Sequence, residues 1–376
     1  MRGMNIYLPP FAPDYGGICS VFYGGDGMSV IHDASGCTIN FTSYDEPRYA
    51  SSPSRVFCSQ LRELDAALGD DEKLINKVLT AAGDLRPRFI ALVGSSVPML
   101  IGTDLRGIAR EIEQRSSIPT AGFPATGIGL YDAGASEAQL WLLKRFLKPG
   151  ARKGGTVLTG DDALSLSGTG NREIAVKRLE GAGIKVIASL GQGDCSGDIE
   201  RASEADSVLC LTSTGIRAAQ YLSRTLDIPM AVGFPMGESS AEAIAGRLRG
   251  EAPETYPAGD VLYLGDAVIG ASLREELALG HGIGGITVAD IFSHLSGMSD
   301  MDIETERQAE EEINSGRYRA VIADPVFGSL IHDKTKTGLI PLPGTPVSGG
   351  IYGRAAALMD DKNIGTIAER IGGTSK

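Results

Sequence analysis

A short, continuously apolar run, then an amphipathic helical stretch, then a second apolar run: this unit recurs along the chain from residue 88 onward and constrains the fold more than any other feature. Phe89-Ile90-Ala91-Leu92-Val93-Gly94 does not alternate polar with apolar residues, so it reads as a strand buried on both faces. The spacing of Leu105, Ile108, Ala109 and Ile112 predicts a helix over 104–115, and Ile118 to Gly122 opens the next strand. Equivalent units follow: strand 156–159, helix 171–181, strand 185–188; then strand 208–212, helix 215–226, strand 230–232. A further unit has strand 261–265, helix 272–279 and strand 285–288, and the last pairs 319–323 with 338–342. Strands that alternate with helices in this way imply parallel sheets with right-handed crossovers.

The chain also echoes itself. Ile118-Pro119-Thr120-Ala121-Gly122-Phe123-Pro124 is answered by Ile228-Pro229-Met230-Ala231-Val232-Gly233-Phe234-Pro235, and more weakly by Leu339-Ile340-Pro341-Leu342-Pro343. Three occurrences in similar context predict three repeated Rossmann-like α/β domains. Clusters of Gly, Pro and charge near Pro149–Gly155 and Pro253–Gly259 divide the chain into residues 1–150, 151–255 and 256–376.

Composition removes several function classes. With 376 residues, 42% hydrophobic and 22% charged, the chain can bury full-sized cores without disulfides. A net charge of −12 with no basic stripe argues against nucleic acid as a partner. No apolar run approaches the roughly 20 residues of a membrane span, and Met1 to Pro10 has no secretory pattern. The expected setting is cytoplasmic. Five cysteines, Cys19, Cys37, Cys58, Cys195 and Cys210, then read as core residues or metal ligands rather than as disulfide partners.

Familiar cofactor and hydrolase motifs are missing. After strand 156–159 come Gly160-Asp161-Asp162, carboxylates where a phosphate needs bare N–H groups, and the chain has no Gly-Lys-Ser/Thr loop. No Gly-x-Ser-x-Gly elbow occurs. His32, His281, His294 and His332 lack zinc spacing, and each reads as a surface or capping residue. Cys210 lies in an apolar strand and reads as core, and Cys195 as a loop thiol. Tyr15-Gly16-Gly17-Ile18-Cys19 and His32-Asp33-Ala34-Ser35-Gly36-Cys37 place two thiols beside glycines in loop-like sequence, where backbone N–H groups lower a thiol pKa and suit soft-metal ligation. On spacing alone, two buried thiols explain the pattern equally well.

The order Gly-Gly-x-Cys, then His-x-x-x-Gly-Cys, resembles the cluster-binding start of component 1 proteins of nitrogenase and their tetrapyrrole-reducing relatives. Glu63 to Leu74, then Pro98-Met99-Leu100-Ile101-Gly102-Thr103-Asp104-Leu105, then Ser213 to Tyr221 with Asp227-Ile228-Pro229, are similar to later family segments in the same order. The resemblance implies three α/β domains and an iron–sulfur cluster, of the [4Fe-4S] type, shared at a subunit interface. It further implies a homodimer or a paralogous subunit, and electrons from a separate ATP-dependent iron–sulfur reductase. By the same resemblance Cys19 and Cys37 are cluster ligands. The third family cysteine falls on Ser96 or Val97, so Cys58, Ser96, a carboxylate or a partner chain fills that position. The cysteine that holds the iron–molybdenum cofactor of true nitrogenases falls near Gly215, which argues against dinitrogen reduction.

Three functions follow as expectations. The first is a redox protein that reduces a small molecule or tetrapyrrole. The second is a scaffold that carries a metallocluster without turnover. The third is a metal-free Rossmann-like binding protein or sugar-nucleotide enzyme.

Overall fold

The computed structural model describes residues 4, 6–49, 51–148, 150–166, 170–192, 195–344, 346–347 and 359–373, the side chain of Cys195 excepted. Three parallel sheets carry the chain. The first contains β1 (Met28–Ile31), β2 (Val56–Cys58), β3 (Ile90–Val93) and β4 (Thr120–Phe123), in the order β2-β1-β3-β4. The second contains β5 (Thr156–Thr159), β6 (Val186–Leu190), β7 (Ser207–Cys210) and β8 (Met230–Val232), in the order β6-β5-β7-β8. The third contains β9 (Val261–Gly265), β10 (Ile286–Asp290), β11 (Met301–Asp302), β12 (Ala320–Ala323) and β13 (Gly338–Pro341), in the order β11-β10-β9-β12-β13.

The three orders are one topology repeated. In each sheet the chain first moves outward on one side of the opening strand, then returns to its other side. The echoed Ile-Pro segments lead into or fall on β4, β8 and β13, the last strand of each sheet. Strands β1, β3, β5, β7 and β12 are buried at every residue, which is why β3 and β12 are continuously apolar and the others carry only Ser or Thr besides apolar residues. Direction reverses between β1 and β3, between β5 and β7, and between β9 and β12. Crevices at the carboxyl ends of such switch points are where open parallel sheets bind ligands.

Most expected helices form with small shifts. Helix Leu105–Ser116 begins one residue after its cap, Asp104, whose Oδ1 accepts the Gly107 N–H at 2.9 Å. Helix Ala267–His281 extends well beyond the expected 272–279, because Asp266 caps it by accepting the N–H groups of Val268 and Ile269. Among the described residues no helix is long and apolar enough to cross a membrane.

The largest departure lies near the amino end. Asp14–Phe22 is a helix, not a loop, and it crosses the helix Tyr131–Phe146 at van der Waals distance. A Cβ on Gly17 would stand 1.9 Å from the Tyr131 carbonyl oxygen, and one on Gly134 would stand 2.0 Å from that of Asp14. The paired glycines before Cys19 therefore permit helix packing rather than expose a thiol. Beside this crossing Trp141 packs against Phe22, Phe89, Phe123 and Phe146.

Candidate functional site

The switch point of the first sheet gathers most of the residues singled out by sequence. β1 ends into His32-Asp33, β2 ends at Cys58, and β3 ends into Gly94-Ser95-Ser96. Asp33 organises the region. Its Oδ2 accepts the N–H groups of Ser35 (2.8 Å) and Cys37 (2.9 Å), so it opens the short helix Gly36–Asn40. Ser35, at φ 145°, supplies the bend that makes this turn. The Ser95 hydroxyl lies 2.9 Å from the His32 carbonyl and 3.2 Å from Asp33 Oδ1. Cys58 Sγ donates to the Asp33 carbonyl and accepts the Gln60 N–H, both at 3.3 Å.

Cys37, half-buried, has its thiol close to the side chains of Tyr15, Asp33 and Ser95. Tyr15 stands one helical turn before Cys19 on Asp14–Phe22, so the two share a helix face. Cys19 is fully buried in the core against which Cys37 packs from the edge. The four sequence candidates therefore divide. Cys37 and Cys58 both contact Asp33, Cys19 lies one layer deeper, and Ser96 opens the helix Ser96–Leu100 beside Ser95. Tyr15, Asp33 and Ser95 were not singled out as site residues, since each looks like ordinary loop or strand-end polarity until the fold closes. Cys210 is buried in β7 as expected, and the side chain of Cys195 lies outside the described residues.

The thiol electrostatics run opposite to the sequence expectation. Burial, then the carboxylate of Glu46, pushes the Cys19 thiol well above its ordinary range. Burial, then Asp33, raises that of Cys37, although the Tyr15 and Ser95 hydroxyls pull the other way. Both shifts favour the protonated thiol, so a metal bound there would have to displace those protons. The donor chemistry still suits iron: soft sulfur donors, with hydroxyls placed to hydrogen-bond a thiolate. Among the described residues these cysteines belong to no set of three donors within 4.8 Å, so they do not make a site for a single ion.

His32 is buried rather than on the surface. Its Nδ1 lies 2.8 Å from Ser59 Oγ, and burial lowers its pKa to about 4.

A second crevice opens at the switch point of the third sheet. It is narrow, and Phe11, Tyr131, Tyr263, Phe292 and Phe327 wall it beside Asp266 and Asp324. Those carboxylates are already engaged. Asp266 accepts the Ser213 N–H at 3.0 Å as well as its own cap, and Asp324 accepts those of Val326 and Gly344. In the second sheet Asp161 and Asp162 are fully buried, bonded to Ser189 and Arg172 and to Ser165 and Thr214 respectively. In the third sheet acidic groups occupy the helix starts where a phosphate would sit, and in the second they lie in the turn that follows β5. Gly215 lies so close to Gly160 that a Cβ would stand 2.5 Å from its nitrogen, so that position admits no side chain.

The fold defines a class: an α/β architecture of three repeated parallel sheets. The family model of nitrogenase component 1 type oxidoreductases matches residues 16–252, and the chain belongs to that family. The solved structure "Nitrogenase Cp1 at pH 6.5" is similar over 99% of this chain and 93% of its own, with a TM-score of 0.66 and 13% identity. "Nitrogenase Cp1 at pH 5" is similar over 100% and 90%, with a TM-score of 0.66 and 14% identity. No curated protein matches.

Proposed function

We propose that this chain is a nitrogenase component 1-like redox protein in which Cys19 and Cys37 hold an iron–sulfur cluster, with Cys58 and Ser96 as further ligand positions. The observation that carries the reading is the Tyr15 contact: the Cys37 thiol meets a side chain one turn from Cys19, on the same face of one helix. Bound there, the cluster supplies one-electron chemistry. The chain itself contributes thiolates, the Tyr15 and Ser95 hydroxyls that stabilise them, and a buried shell that limits water.

The three cysteines of this region, Cys19, Cys37 and Cys58, are one short of the four sulfurs of a [4Fe-4S] cluster, and the surface around Cys37 and Ser96 suggests where the remainder comes from. Ile39, Tyr44, Val97, Leu100, Ile101 and Ile128 are all exposed there, Leu100 at 86% and Ile128 at 83%. Such an apolar rim fits burial by a second copy or a paralogous subunit. Electrons would come from a separate ATP-dependent iron–sulfur reductase. The aromatic crevice of the third sheet is too narrow for a tetrapyrrole and suits a small apolar organic group better than a phosphate ester, because its carboxylates occupy the helix-start N–H groups. The closed position at Gly215 favours a reaction other than dinitrogen reduction.

Serines at the end of β3, where the family carries a cysteine, favour a second reading: a scaffold that carries a cluster without turnover. Anaerobic purification with iron and acid-labile sulfide analysis tests both. Stoichiometric iron and sulfide is the expected result, and colourless, iron-free protein would leave the metal-free reading in place. Substrate consumption by the reduced protein then separates catalyst from scaffold.

A further inference from the structure

A different set of donors converges in the third sheet, apart from every cysteine. Asp290 ends β10 and Asp302 ends β11, and the parallel register pairs these two residues directly. His294 follows four residues after Asp290, at φ 54°, and turns its ring back toward both carboxylates. Its Nδ1 stands 3.7 Å from Asp290 Oδ2 and 3.4 Å from Asp302 Oδ1, in neither case in hydrogen-bonding geometry. One ligand atom from each of the three residues lies within 4.8 Å of the others.

The bonding inventory around this triad is unfilled. Asp290 has a side chain 1% exposed, and its Oδ2, aimed at His294, has no hydrogen-bond partner among the described residues. Neither ring nitrogen of His294 has one. The other oxygen of Asp290 accepts the Phe292 N–H at 2.9 Å, which fixes the carboxylate in place. Asp266 and Asp132 add negative charge from neighbouring elements. A buried carboxylate oxygen and a buried imidazole without partners are costly unless something bridges them. The separations of 3.4 and 3.7 Å suit two ligands on one ion, since bonds of about 2.1 Å at tetrahedral angles place ligand atoms about 3.4 Å apart.

We propose that Asp290, His294 and Asp302 bind one divalent transition-metal ion of the Mn²⁺, Fe²⁺ or Zn²⁺ class. One imidazole nitrogen and two carboxylate oxygens are the donor set such ions share. Asp302, half exposed and held by Ser299 at 2.7 Å, faces solvent and leaves the remaining positions to water. The ion would tie the two-residue edge strand β11 to β10. It would also pin the loop between its ligands, where Phe292 walls the aromatic crevice and Ser293 donates to Asp132.

The test uses Mn²⁺, which does not favour thiolates and so avoids the cysteine region. Chelator-treated full-length protein is titrated anaerobically with Mn²⁺, and free ion is counted by its electron paramagnetic resonance signal. The expected result is one Mn²⁺ per chain with a nitrogen hyperfine coupling, unchanged in Cys37→Ala. Affinity falls at least tenfold in His294→Gln, which also loses the coupling, and in the surface variant Asp302→Asn. Absence of Mn²⁺ binding to wild type, or binding unaltered in both His294→Gln and Asp302→Asn, would overturn the proposal and leave a histidine–carboxylate ion pair.

Discussion

At the scale of single residues, two groups carry more than their chemistry suggests. Gly17 has no room for even a methyl group, because the Tyr131 carbonyl occupies the space a Cβ would take. Gly17→Ala must separate two helices whose backbones touch, at a cost of about 3 kcal/mol or more. Urea denaturation of wild type and variant measures it, and a difference under about 1 kcal/mol would show that the crossing is looser than drawn. His32 gives a pH signature. Unfolded, it takes up a proton near pH 6.5; folded, it resists protonation down to about 4. The unfolded chain therefore binds more protons between those values, and stability falls as pH drops through that window. The loss from this residue is at most about 3 kcal/mol. Thermal denaturation at pH 7 and at pH 4.5 should show a steep decline in wild type and a flatter one in His32→Asn. Equal declines would place the acid sensitivity elsewhere.

At the scale of elements, the buried strands were the most legible part of the chain. Ile90–Val93 and residues 261–264 are apolar at consecutive positions because both of their faces are covered, and their shortness separates them from buried helices. Legibility failed where packing overrides propensity. The helix Asp14–Phe22 contains Gly16-Gly17, which disfavours helix locally, and it exists because the close approach to Tyr131–Phe146 repays that preference. With that helix hidden, spacing alone left Cys19 open between a ligating loop thiol and a buried core residue. Edge strand β11 has two residues and no periodicity to read, so the register that sets Asp302 beside Asp290 and His294 was invisible, and His294 passed for a surface residue. Asp33 and Ser95 meet only because β1 and β3 are neighbours in the sheet, which spacing along the chain does not encode.

At the scale of the whole molecule, one topology used three times places three switch points at the carboxyl ends of strands. Each has been given different side chains: thiols and hydroxyls in the first, buried carboxylates in the second, aromatic rings in the third. The exposed apolar rim around Cys37 and Ser96 belongs to this scale, because the proposed second chain would cover it. Light scattering on the purified protein should give a dimer or larger assembly. Leu100→Asp combined with Ile128→Asp should shift it toward monomer and lower its iron content in parallel. A double variant that stays assembled with full iron would separate the rim from the cluster.

The most direct test of the account asks whether two sulfur atoms grip iron or fill space. Electron paramagnetic resonance of anaerobically purified, reduced protein compares wild type with Cys19→Ala, Cys37→Ala and the core control Cys210→Ala. The account predicts a cluster signal in wild type and in Cys210→Ala, and its loss or marked alteration in the other two variants. A signal identical in all four proteins, or absent from wild type, would contradict it.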